Sequence, residues 1–312
     1  MRRCPPASRL CPLSFKTFGV HKELVFLLEQ VINGLLIGGY YLLIALGLSL
    51  IFSLGGVVNL AHGAFYALGA YLSVEITKHL GFGGAIIISP LIVGMLGILF
   101  ERFLLRRFYS ADPSLSLLLT FGLAMVAEQL LRMIWGSSPL PSSIPSAFKG
   151  QVVIGDFLYS IYRLLMLAVV FAALTGIWLL LNKTSFGRVV RAGVQKPDMV
   201  AVLGIRLQPY MTSIVALGVG LAALAGVLFA PISGVHPAMG AEVLTAAFVV
   251  VVIGGLGSFW GVVLAAVLVG VVRGVTVHFY PAAGEASMYL LMLLVLMFRP
   301  RGLLGERIER FE

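Results

Sequence analysis

Two glycine-rich segments hold the residues whose types and spacing could act on another molecule. Residues 47–72 read GLSLIFSLGGVVNLAHGAFYALGAYL. Asn59 stands where its side chain can cap a helix that begins near Leu60. A helix end there exposes free backbone N–H groups and a partial positive charge, which attract a passing carboxylate or carbonyl. His62 follows within a turn, and Gly63, Ala67 and Ala70 form a small-residue face fit for close helix packing. Asn59 and His62 could equally hydrogen-bond a neighbouring helix. The second segment is Gly254-Gly255-Leu256-Gly257-Ser258, which closes a short apolar stretch. Ser258 lacks the Gly-x-Ser-x-Gly elbow of a nucleophile, so neither His236 nor His278 has a hydrolytic serine to serve. A serine in such surroundings reads as helix-packing glue. Asn59, His62, Gly63, Gly254, Gly255, Gly257 and Ser258 are therefore read as lining a solute pathway, with no catalytic residue among them.

Other chemistry is excluded by pattern. The lysines are Lys16, Lys22, Lys78, Lys149, Lys183 and Lys196, and none completes a Gly-x-x-x-x-Gly-Lys-Ser/Thr loop, so the chain lacks a P-loop for ATP. No His-Glu-x-x-His occurs, and no metal site or cofactor is expected. Cys4 and Cys11 are the two cysteines, too few for a disulfide scaffold or a four-cysteine zinc site.

The elements that must position these residues are membrane helices. Of 312 residues, 60% are hydrophobic and 11% charged, where soluble domains have roughly 45–50% and 25%. Mean hydropathy is +1.03. A polar skin cannot be built from this composition, so lipid is the solvent for most of the chain. The net charge of +9 then reflects basic cytoplasmic loops rather than nucleic-acid binding. Apolar stretches fall at 24–52, 57–77, 84–105, 114–135, 159–182, 209–232, 241–254, 262–280 and 286–298. Most approach the ~20 residues that cross ~30 Å of hydrocarbon.

Basic residues set the sidedness. Arg102, Arg106 and Arg107 form one cluster, Lys183 to Arg206 a second, and Arg299, Arg301, Arg307 and Arg310 a third. All three are expected in the cytoplasm, with the proline-rich 136–158 connection outside. The basic tail 1–22 is also placed inside, putting both termini in the cytoplasm; residues 1–20 are expected to be dispensable. Three apolar stretches then separate two cytoplasmic points, an odd number. The stretch 55–77 is the expected re-entrant segment, since irregular backbone at membrane depth survives only against protein or a water-filled cavity. Gly254–Ser258 gives the second half a similar texture. The expected fold is all-α: a polytopic membrane protein of about eight transmembrane helices with re-entrant or broken segments, arranged as a two-half pseudo-repeat. Its transmembrane domain covers 23–306, and 307–312 are a cytoplasmic tail. Glu128 and Arg132, four apart, are expected to pair on one helix face. Glu242 and His236 flank the second broken segment on the external side.

Residues 183–206, KTSFGRVVRAGVQKPDMVAVLGIR, are the one long amphipathic cytoplasmic stretch. Pro197 suits a first helical turn, Met199, Val200, Leu203 and Ile205 give an apolar side, and Gly204 a stop. A short apolar-sided helix in a membrane protein without its own motor reads as a docking element; a surface helix at the headgroups is the other reading.

Five ordered motifs carry a resemblance. The run Asn59-Leu60-Ala61-His62-Gly63-Ala64-Phe65-Tyr66, with Gly69-Ala70-Tyr71, resembles the signature of branched-chain amino-acid ABC transporter permeases. The others are Gly187-Arg188, Arg191-Ala192, Gln195, Ala201 and Leu203-Gly204-Ile205; Leu224 to Leu228; Gly254 to Ser258 with Gly261; and Phe298 to Gly305. The resemblance covers about 24–306. The resemblance implies a permease subunit of a bacterial inner-membrane importer. Its partners would be a second homologous permease, two cytoplasmic ATPases that bind the ATP, and a periplasmic or lipid-anchored solute-binding protein, all assembled in membrane lipid. Gly187, Arg188, Arg191, Gln195, Asp198, Met199, Ala201, Leu203 and Gly204 would form the loop that couples to an ATPase. Lys196 to Val200 departs from the acidic-then-alanine run usual there. Relatives of the same broad family carry urea, short amides or other amino acids. An ion-coupled transporter working alone is the rival, and it would need buried carboxylates in the pathway segments.

Overall fold

The computed structural model describes residues 14–109, 112–145, 148–154 and 157–305. Backbone groups in lipid must be satisfied within their own segment, and the apolar stretches are accordingly helices. In order these are α1 (Ser14–Gly55), α2 (His62–Phe103), α3 (Pro113–Trp135), α4 (Ile161–Lys183), α5 (Ser185–Gln195), α6 (Pro197–Val202), α7 (Gln208–Ser233), α8 (Met239–Gly254), α9 (Phe259–Phe279) and α10 (Gly284–Phe298). The 136–158 connection adds an antiparallel hairpin of β1 (Gln151–Ile154) and β2 (Phe157–Ser160). Among the described residues seven helical segments are long and apolar enough to cross a membrane, and α8 is apolar but shorter. α1 begins at Ser14, inside the stretch read as a tail. Residues 1–13 and 307–312 lie outside the described residues.

α2 is two arms. Its 42 residues would extend roughly 63 Å as one rod, twice the hydrocarbon thickness. Gly81 breaks it with φ +71°, a value that suits glycine. The arms 62–80 and 82–103 then run antiparallel: Ser89 Oγ donates to the Gly69 carbonyl at 2.9 Å, and the Phe65 and Phe100 rings are 5.4 Å apart.

Small residues let the backbones meet. On α1, Gly34 and Gly38 face Ala266, Gly270 and Gly274 of α9; a Cβ at Gly34 would lie 2.6 Å from the Gly270 carbonyl oxygen. Gly69 of α2 faces Ala223 of α7 in the same way, at 2.5 Å from its Cα. In lipid, helices associate through such packing rather than by escape from water.

The basic regions gather at one end. Gly55 lies beside Tyr109 and Met211, Gly193 beside Leu54 and Leu207, and Gly257 beside Ser53. The Leu303 N–H bonds the Ile253 carbonyl there at 2.8 Å. This end carries the excess of arginine and lysine. The opposite end holds the Arg163–Asn33 hydrogen bond (2.7 Å) and the Leu140–Val235 bridge. The described start of α1 lies toward that opposite end. It thus lies away from the basic face where the tail 1–22 is expected, and the termini themselves fall outside the described residues. Three arms separate points at opposite ends, so parity does not require 55–77 to enter and leave on one side.

Candidate functional site

The chain does reverse after α1, for a different purpose. Gly56 takes φ +63°, and residues 56–61 return alongside α1. His62 Nε2 lies 3.1 Å from the Ile44 carbonyl oxygen, roughly 16 Å back along α1 from Gly55. Farther along, Tyr40 donates to the Tyr66 hydroxyl at 3.0 Å. α2 thus begins within the depth of the bundle. Asn59 Oδ1 accepts the Ala61 N–H at 3.1 Å, an Asx turn just outside the helix, and α2 starts at His62 rather than near Leu60. The bond to the carbonyl assigns the His62 proton to Nε2. Asn59 and His62 are fully buried, and Asn59 Nδ2 and His62 Nδ1 find no partner.

A second helix begins at the same place. α7 ends at Ser233, Gly234 turns with φ +73°, and α8 starts at Met239. Gly63 and Gly240 then meet backbone to backbone. A Cβ on Gly63 would collide with the Gly240 carbonyl oxygen, and one on Gly240 would lie 2.5 Å from that of Gly63. From this contact the first arm of α2 runs away from the basic end and α8 runs toward it. Two helix N-termini, each a partial positive charge, face each other at depth. Neither has a side-chain cap, since Ala61 and Ala238 hold the capping positions.

Gly254, Gly255, Gly257 and Ser258 lie elsewhere. They form the turn between α8 and α9 at the basic end. Ser258 caps α9 by accepting the Gly261 N–H at 3.2 Å. Gly255 and Gly302 approach within a Cβ's width, and the Leu304 N–H bonds the Gly254 carbonyl. The broken segment paired with 56–61 is 234–238, not 254–258. The physical reason is that glycine marks two needs alike: here it serves positive φ and contact with the 301–305 backbone, not a break at depth.

Three charged groups complete the picture. His236 Nε2 lies 3.3 Å from the Glu242 carboxylate, joining the 234–238 break to the first turn of α8. Glu128 and Arg132 pair as expected. The sequence reading passed over Glu101. It is fully buried, accepts from Thr212 Oγ1 at 2.7 Å, and lies 3.5 Å from both Arg106 Nε and the Tyr109 hydroxyl. This cluster ties α2 to α7 just below Gly55. Its proximity to three arginines hid it within what reads as a basic loop.

The segment 183–206 folds as α5 and α6. Thr184 caps α5 by accepting the Gly187 N–H at 3.2 Å, and Gly187 is buried against the Leu181 backbone. Arg188 is exposed, and Arg191 reaches Asn182. α6 begins at Pro197 and ends as its sequence predicts. Gly204 has φ +75°, its N–H bonds the Ala201 carbonyl, and the Ile205 N–H bonds that of Val200. These are the two bonds of a Schellman stop. Val200 anchors the turn inward. Gln195, Asp198, Ala201 and Gly204 are exposed. So are Met199, Val202 and Leu203, at 61%, 83% and 75%.

Comparison with known proteins bears on the family. The sequence profile of the family described as branched-chain amino acid transport system, permease component, matches residues 30–298. The high-affinity branched-chain amino acid transport system permease protein LivH of Escherichia coli is 28% identical, with 91% of this chain and 97% of LivH covered. BraD of Pseudomonas aeruginosa, a permease protein of the same description, is 29% identical over the same shares. A second permease protein of that description in Escherichia coli, LivM, is 29% identical, covering 85% of this chain and 67% of LivM.

Proposed function

Because the chain belongs to the branched-chain amino acid transport permease family, we propose that it forms half of the pathway of an ABC importer for branched-chain amino acids. It is a multi-pass membrane protein and a transporter subunit. The other half would be a second permease, as LivH and LivM are two permease proteins of like description in one organism. A solute-binding protein would deliver the amino acid at the end opposite the basic loops. Two ATPases would dock at the basic end, which we assign to the bacterial inner membrane's cytoplasmic face.

The observation that carries this reading is the α6 knob. Met199, Val202 and Leu203 stand exposed on the basic face, and the chain has no P-loop of its own. Single exposed apolar residues are ordinary; three on one rigid, capped turn mark a surface completed by a partner. An ATPase groove closing around this knob would move α5 and α6. Through the Gly193 contact with Leu54 that motion would reach the end of α1 and the break beyond it. The opposed helix N-termini would shift against each other at Gly63 and Gly240, opening the path to one side or the other.

The test is assembly. Met199→Asp with Leu203→Asp should leave the chain's own stability within about 0.5 kcal/mol, as expected of exposed sites. It should abolish co-purification of the ATPases and stimulated ATP hydrolysis. Retained co-purification at wild-type stoichiometry would refute docking at α6.

A further inference from the structure

Among the described residues, two ionisable side chains on α8 and α9, away from the basic end, are left unexplained by helix packing. Glu242 stands in the first turn of α8 with 65% of its side chain exposed, and among the described residues its carboxylate's partner is His236. Arg273 is on α9. Its guanidinium carbon lies 5.6 Å from the centre of the Tyr41 ring. Arg273 Nε is buried without a hydrogen-bond partner, and among the described residues no carboxylate lies within ion-pair distance of it.

An arginine near the end of a span ordinarily reaches outward to the headgroups. Arg273 instead lies over Tyr41, which is 3% exposed and nearer the middle of the bundle. α1, α8 and α9 pack against one another. The neighbouring Tyr40 bonds Tyr66, one turn beyond Gly63, and Gly63 touches Gly240, two residues before Glu242. The Tyr40 ring stacks on Phe229 at 4.1 Å. An acid and a base thus flank one aromatic cluster without bonding each other. A first-turn carboxylate also steadies the α8 N-terminus, but that role leaves the arginine unexplained. Ionised groups at this depth persist where they face protein or water rather than lipid.

We propose that Glu242 and Arg273 read the two charges of an α-amino acid entering from the end opposite the basic loops, Glu242 taking the ammonium and Arg273 the carboxylate. The planar guanidinium suits a carboxylate through paired hydrogen bonds. The tyrosines supply an amphipathic wall between the two charges. This inference rests on the amino-acid importer reading and narrows it: urea or a neutral amide carries no such charge pair.

The experiment uses the complete complex in proteoliposomes, with saturating binding protein and ATP. Leucine uptake by the unaltered complex is measured first; its absence would overturn the importer reading and this inference with it. Given uptake, Glu242→Gln and Arg273→Gln should each reduce it at least tenfold, while Glu242→Asp and Arg273→Lys keep a third or more. Wild-type uptake in either glutamine variant overturns the pair. If Arg273→Gln fails to assemble, the Glu242 arm decides. Glu242→Cys, in a chain with Cys4 and Cys11 replaced by alanine, is treated in the assembled complex with an anionic or a cationic methanethiosulfonate. The anionic adduct should raise uptake severalfold and the cationic one should not. A thiol that neither reagent reaches would show that position 242 faces no aqueous path, and would overturn the assignment.

Discussion

The break at 56–61 and the segment at 183–206 depart from ordinary packing in opposite directions. At the break, Asn59 and His62 are polar and wholly buried, each with an atom that has no partner. On α6, Met199, Val202 and Leu203 are apolar and exposed. The buried polar atoms are enclosed by this chain alone, between α1, α2 and α7. The exposed apolar ones meet no covering surface among the described residues. The contrast separates a junction closed within the subunit from a surface the subunit leaves open. Variants should therefore damage folding at the first region and coupling at the second.

The largest effect expected on the chain itself is at Gly63. Gly63→Val places a branched side chain against the Gly240 carbonyl, with backbone on both sides. Neither helix start can retreat without breaking its own turn. A loss on the order of 4 kcal/mol or more is expected, the range reserved for overpacked or strained cores. The measurement is the yield of monodisperse protein in detergent and its unfolding temperature. Wild-type values would mean that α2 and α8 do not meet at this contact, and the distinction between the two regions would fail.

A smaller change asks whether the buried polar atoms do more than fill space. Asn59→Leu removes the bond that Oδ1 accepts from the Ala61 N–H. It removes little else, because Nδ2 is unbonded. The cost should be about 1 kcal/mol, that of one hydrogen bond. Uptake by the assembled complex should slow by more than that stability loss explains, because the start of α2 would lose its turn. Normal uptake would reduce Asn59 to a packing residue.

Much of this was legible in the sequence. The nine apolar stretches correspond to α1, the two arms of α2, α3, α4 and α7 to α10, because lipid leaves helix as the one local solution. The α6 stop at Gly204 was legible because positive φ, glycine and a preceding apolar turn coincide. The course of α1 was not: its basic tail suggests a start at the basic end, yet α1 and the two arms of α2 are three passes that link its described start to that end. The second break was missed for a related reason. Gly254, Gly255 and Gly257 form the louder glycine signal, yet they serve the turn against the 301–305 backbone. The true break carries only Gly234, with Pro231 and Pro237 around it. Glu101 could be recognised only from the fold, since its partner Thr212 lies on α7.

The smallest effect sharpens the comparison at the level of one helix end. Three helix starts at the basic end carry side-chain caps, Asp112 on α3, Thr184 on α5 and Ser258 on α9, while α6 and α7 start there without one. The starts of α2 and α8, at depth, carry none. Asp112 accepts from the Ser114 hydroxyl at 2.6 Å and from its N–H at 2.9 Å. These bonds, the hydroxyl first, hold its carboxyl below the usual range. A depressed folded pKa adds stability above the unfolded value of about 3.9 and loses it as pH falls through the folded one. Asp112→Ala should therefore lower the unfolding temperature slightly at neutral pH, and the gap from wild type should close once acid protonates the carboxyl. Asn59 has no proton to gain over that range, so its own hydrogen bond should not titrate. If the Asp112 gap persists unchanged well below pH ~3, the cap does not act through its charge. The basic end would then share with the buried break a reliance on neutral hydrogen bonds.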